Sequence, residues 1–128
     1  MSEQFKCCST PVLVKNPKRF IEYIEDTLGL DHYTYEHPVG TAYGFYGEDR
    51  LPFDEDNLGS TEQALSRFLR EGQVLLCEES GHQWRGNRWD VFYWAVAINH
   101  DGRCLEHSGS NAYDRAQSAF GNKPIYAG

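Results

Sequence analysis

Five cysteine and histidine side chains, of the types that hold metals or activate nucleophiles, fall within residues 77–107: Cys77, His82, His100, Cys104 and His107. The tightest spacing, His100-x3-Cys104-x2-His107, offers sulfur and imidazole donors of the kind zinc takes. Strand geometry argues against a metal centre there. Cys104 and His107 are an odd number of positions apart, and on a regular strand such residues face opposite sides of the sheet. No CxxC or HExxH pair accompanies them, and Cys77 stands in an apolar run where a buried thiol is ordinary packing. We therefore expect no metal and no cofactor. The same residues could instead supply a nucleophile, Cys104, with His107, His82 or His100 as its base and Asp90 or Asp101 orienting the ring. Ser110 reads as a helix cap rather than a nucleophile, and GFYG and GNRW lack the spacing and lysine of a phosphate loop. A small cysteine/histidine-dependent hydrolase or transferase, on Cys104 and His107, is the alternative reading. The leading one assigns no catalytic residue.

Recognition chemistry is denser elsewhere. Residues 80–89, SGHQWRGNRW, bring together His82, Trp84, Arg85, Arg88 and Trp89. Tryptophan offers a large contact surface and arginine a rigid fork of donors, which is why both recur at binding hot spots. Read as the connection between two strands, this segment exceeds the usual hairpin loop, and long loops more often carry function. The competing reading folds Trp84 and Trp89 inward as a lid. A second candidate is the acidic stretch 48–56, whose Asp54, Glu55 and Asp56 could imitate a row of phosphates on a partner's nucleic-acid site. Arg50 interrupts that stretch, and Leu51 and Phe53 should pin it to the body of the protein. Together these features point to a small non-enzymatic binding protein acting on another macromolecule, as an inhibitor or adaptor.

The scaffold that must position these groups is built on residues 90–98, DVFYWAVAI, the longest run of β-formers in the chain. Phe92, Trp94, Val96 and Ile98 should look into the main core, while Ala95 and Ala97 leave room for a helix on the other face. Strands over 73–78 and 103–107 should flank it, the latter returning through the turn formers Asn99, His100, Asp101 and Gly102. The N-terminal half should widen the sheet with a strand at 11–15 and a hairpin of 33–35 with 41–46. Helices are expected at 17–28, 61–71 and 111–120. Asn16-Pro17 opens the first and Gly29 stops it; Ser60 with Gln63 forms a capping box on the second; Ser110 caps the third. Residues 1–9 are polar and expected to be loosely held.

The chain as a whole fits one α+β domain over 1–128, an antiparallel sheet centred on 90–98 with the three helices packed on it. Its 40% hydrophobic content supports a folded globule, and its formal charge of −7 makes a phosphate-backbone grip on nucleic acid unfavourable. No apolar run is long enough to span a membrane, and the start of the chain lacks the apolar stretch of a signal peptide. A cytoplasmic protein with four thiols is the expectation, with another protein as its partner and the oligomeric state open.

Overall fold

The computed structural model describes residues 4–53, 59–86 and 88–120, and for residues 83–85, 88–90 and 92 the backbone alone. The described elements are, in chain order, β1 (Gln4–Ser9), α1 (Pro17–Glu22), β2 (Asp31–His37), β3 (Gly40–Gly47), α2 (Ser60–Ser66), β4 (Val74–Arg85), β5 (Arg88–Asn99), β6 (Cys104–Ser108) and α3 (Ala112–Gln117). The six strands form one sheet in the order β2-β3-β1-β4-β5-β6, with every neighbouring pair antiparallel. With its three α-helices this is an α+β fold.

Alternation along the strands divides the apolar residues between two unequal faces. Cys7, Phe45, Leu75, Cys77, Val96 and Ile98 are buried on the main core face. Phe20 and Ile24, Leu65 from α2, and Val12, Val14 and Leu69 from the connecting segments cover them. Trp94 packs on the edge of this core, its ring set edge-on to Phe53 with centroids 6.1 Å apart. On the opposite face, Ala112 and Ala116 of α3 pack against Val74, Leu76, Ala95 and Ala97. The small residues expected to admit a helix do so.

Several local expectations give way. Residues 80–89 are not a long loop: β4 and β5 run as twelve-residue partners, in register from Val74 opposite Asn99 to Arg85 opposite Arg88. Directly after Arg85, Gly86 takes the left-handed φ of 67° that a tight hairpin turn needs. Gln4–Ser9 is not a loose terminus but an interior strand between β3 and β4. Its Cys7 and Ser9 are buried while Gln4 faces solvent, a period of two in which cysteine acts as a small hydrophobe. Residues 11–15 form no strand, only single bridges from Val12 to Tyr43 and from Val14 to Leu69.

The helices are shorter than their apolar spacing suggests. The first ends its regular part at Glu22 and continues as a wider π-helical turn, Tyr23–Thr27, before Gly29 stops it with φ 69°. Asn16 caps it as expected, its side chain accepting from the Arg19 N–H at 3.2 Å. In α2 the cap is Gly59 rather than Ser60, which shifts the capping-box carboxylate to Glu62. Gln63 instead donates through Nε2 to the Gly102 carbonyl at 2.6 Å, tying α2 to the β5–β6 turn. Asn111 stands at the cap position of α3 without a side-chain bond, and Ser110 lies ahead of it. Among the described residues, no helix is long and apolar enough to cross a membrane.

Candidate functional site

The cysteine and histidine residues do not assemble. Cys104 lies opposite Ile98, on the core face, and His107 opposite Ala95, on the face that carries α3. His100 accepts from the Gly72 N–H through Nδ1 at 3.2 Å, and its Nε2 lies 3.2 Å from Asp101. His82 is exposed on β4, opposite Val91 and far along the strand from the β5–β6 turn. The Cys104 thiol points at the Gly102 carbonyl, 3.7 Å away, and burial with the nearby Glu62 carboxylate pushes its pKa up to about 11. The other thiols are also held protonated. Burial, reinforced by Glu79 and Asp49, raises Cys7 to about 11; burial and a hydrogen bond to Glu78 raise Cys8 to about 12; burial raises Cys77 well above its ordinary value. A thiol so far from ionising is a poor nucleophile at neutral pH. Among the described residues, no three His, Cys, Asp or Glu side chains converge as metal ligands would.

The acidic stretch is only partly within the described residues: Asp54, Glu55 and Asp56 lie outside them. Its apolar residues behave as expected, since Leu51 and Phe53 are buried against the core. The anchor is a residue that sequence reasoning missed. Glu79 is buried on β4, accepts the Leu51 N–H through Oε1 at 2.6 Å, and has Arg50 Nε at 3.5 Å from Oε2. Arg50 in turn lies over the Phe5 ring, 5.2 Å from its centroid. The signal was parity: Glu79 falls in phase with Leu75 and Cys77, both core-facing.

The Trp–Arg segment is the outer end of the β4–β5 hairpin. Its register sets Trp84 opposite Trp89 and Arg85 opposite Arg88; these four side chains lie outside the described residues. β6 ends at Ser108 opposite Trp94, so β5 runs on through residues 88–93 beyond its last pair with β6. In this stretch Val91 and Tyr93 are 45% and 44% exposed. They share a sheet face with Tyr46 and Tyr35, which are also large and exposed, because the register runs Tyr93–Ser80–Lys6 and Glu78–Cys8–Tyr46. This is the face that α3 covers over Val74, Leu76, Ala95 and Ala97; among the described residues, no helix covers its β2–β3–β1 half.

The open half is ordered by side chains rather than by another layer. Gly44 has no side chain, and the Tyr33 ring occupies that space: a Cβ there would fall 2.4 Å from Tyr33 Cζ. The Tyr33 hydroxyl donates to the Ser9 carbonyl across β3, and the Cys8 thiol donates to Glu78 at 3.2 Å. A groove of about 520 Å³ runs between Tyr33, Tyr35 and Tyr113, floored by Cys8 and Glu78. The arrangement offers flat aromatic area and phenolic hydroxyls beside the charged side chains Lys6 and Glu78 of the same face. Comparison of the chain with protein-family models, curated proteins and solved structures finds no match.

Proposed function

We propose that this is a non-enzymatic binding protein that engages another protein, as an inhibitor or adaptor, through the open half of its sheet and the outer end of the β4–β5 hairpin. The observation that carries the reading is the set of large exposed residues, Tyr35, Tyr46, Val91 and Tyr93, on the sheet face that α3 covers only in part. Exposed aromatic clusters on an otherwise polar surface favour macromolecular contact, because each ring buries much area at little cost in side-chain freedom. Among the described residues, no strand pairs with the outer edge of β5 over residues 88–92, a backbone edge to which an extended segment could join. His82, Trp84, Arg85, Arg88 and Trp89 belong to this hairpin end; Asp54, Glu55 and Asp56 would contribute by steering a basic partner. A cytoplasmic setting suits four protonated thiols.

The test is affinity capture with the full chain, followed by measurement of each stoichiometric partner against variants. Tyr93→Ala and Trp84→Ala should each weaken binding by about 2 kcal/mol, mostly through faster dissociation, with the melting temperature unchanged. Neutralising Asp54, Glu55 and Asp56 together should slow association and flatten its salt dependence. Cys104→Ser should bind normally. Loss of a biological activity in Cys104→Ser, with full activity in Tyr93→Ala, would replace this reading with the hydrolase or transferase one.

A further inference from the structure

On the core side of the sheet, between α2 and the β5–β6 hairpin, lies a cavity of about 290 Å³. Its walls are Phe53, Trp94, Val96 and Cys104, and its polar groups are led by Glu62 and Glu106. Glu62 is the unusual member. It is 3% exposed, and its carboxylate accepts backbone N–H bonds at the start of α2, from Gly59 and from its own residue. Those bonds account for the capping role, yet Oε1 is buried and, among the described residues, has no hydrogen-bond partner. An unsatisfied buried carboxylate oxygen costs the full desolvation of that atom, so natural structures retain one where something else completes it.

The remaining polar groups narrow what that something is. Glu106 offers a second carboxylate, and the Gly102 carbonyl already receives one N–H of Gln63. The polar lining is therefore dominated by acceptors, which selects a ligand that donates. Among the described residues, no third His, Cys, Asp or Glu converges with the two carboxylates as metal ligands would. The Phe53–Trp94 pair, set edge-to-face, supplies the aromatic wall against which organic cations are held. We propose that this cavity binds a small organic ammonium carried on an apolar or aromatic body, its N–H groups completing Glu62 Oε1 and facing Glu106, its body lying along Trp94 and Phe53. This site is distinct from the open sheet face and stands independently of the binding function proposed above.

Charge around the site gives the binding a pH signature. The titratable groups facing Glu62 are Glu106 and Cys104 on β6, Cys77 on β4, and Tyr23 on the π-helical turn. Burial, with repulsion from Glu106, raises the Glu62 pKa above its ordinary value, and an arriving cation opposes both effects. Ammonium affinity should therefore rise with pH as Glu62 ionises.

The experiment uses the full chain and three single-ring probes of similar size: benzylammonium, neutral benzyl alcohol and anionic benzoate. Titration calorimetry should give one site for benzylammonium, with affinity that rises with pH, while the alcohol binds roughly tenfold or more weakly and benzoate not at all. Glu62→Gln should weaken benzylammonium by a similar factor, remove its pH dependence and leave the alcohol unchanged. Equal binding of the alcohol, retention of benzylammonium by a folded Glu62→Gln variant, or no ammonium binding at millimolar concentration would each overturn the proposal. If Glu62→Gln fails to fold, the ¹³C carboxyl resonance of Glu62 in the unaltered protein decides. It should shift on adding benzylammonium and not on adding the alcohol; an unmoved resonance overturns the site.

Discussion

At the level of single residues, the positions that matter most are those where a small or buried group is required by what lies against it. Gly44 is one. Any side chain there drives into the Tyr33 ring, which must then leave the sheet and release its hydrogen bond to Ser9. Gly44→Ala should cost about 1–3 kcal/mol, read as a lowered melting temperature, and Tyr33→Leu in the same background should recover part of the loss. Glu62 is another, and its effect depends on pH. Its folded pKa lies above the ordinary 4.5, so the folded state holds a proton that the unfolded state has already released. Stability from this group is thus complete below that ordinary value and declines as pH rises through the folded pKa. Melting curves taken from neutral to mildly acidic pH should show the wild type gaining on Glu62→Gln as the medium acidifies; parallel curves would contradict the assignment. Of the two buried carboxylates, parity alone pointed to Glu79, and nothing local pointed to Glu62. A Glu in a polar context reads as solvent-facing, and what buries it is tertiary: Leu51 and Arg50 over one, β6 over the other.

At the level of elements, the β4–β5 hairpin shows why its outer half escaped the sequence reading. Residues 90–98 announce a strand because both faces are apolar, and the placing of Trp94, Val96 and Ile98 opposite Ala95 and Ala97 follows from parity alone. Beyond that, Ser80 and His82 carry no hydrophobic signal, because the sheet face they join is solvated. Only Gly86-Asn87, flanked symmetrically by Arg85 and Arg88, marked the turn. Gly86 is in open space but at positive φ, so Gly86→Val should cost about 1 kcal/mol or more through the backbone alone and fray the hairpin end. Hydrogen exchange should then quicken at residues 82–91 while β4 amides near Leu75 stay protected. The segment over the core is held by a different device, the Glu79 acceptor. Glu79→Gln keeps an oxygen for the Leu51 N–H; Glu79→Ala leaves that N–H buried and should be the less stable by about 1–3 kcal/mol.

At the level of the whole molecule, β1 joins what would otherwise be two sheets. The β2–β3 hairpin and the β4–β5–β6 meander each close through short turns, and β1 alone pairs with both, through β3 and β4. Removing residues 1–9 should therefore abolish cooperative melting and near-ultraviolet circular dichroism, where a loose terminus would be dispensable. The single α+β domain was legible because apolar runs and turn formers alternate throughout the chain. The part played by β1 was not, because an interior strand of Gln, Lys and two Cys shows its period only once its neighbours are known. The Cys8–Glu78 bond spans seventy residues of chain. Closing a loop of that length costs about 3 kcal/mol more than closing a tight turn. The two halves can thus form early and locally, while the seam waits for the ends of a long loop to meet. Substitutions at Cys7 should slow refolding more than equally destabilising ones at Ala97, because the pairing of β1 with both β3 and β4 is the step that turns two local units into one sheet.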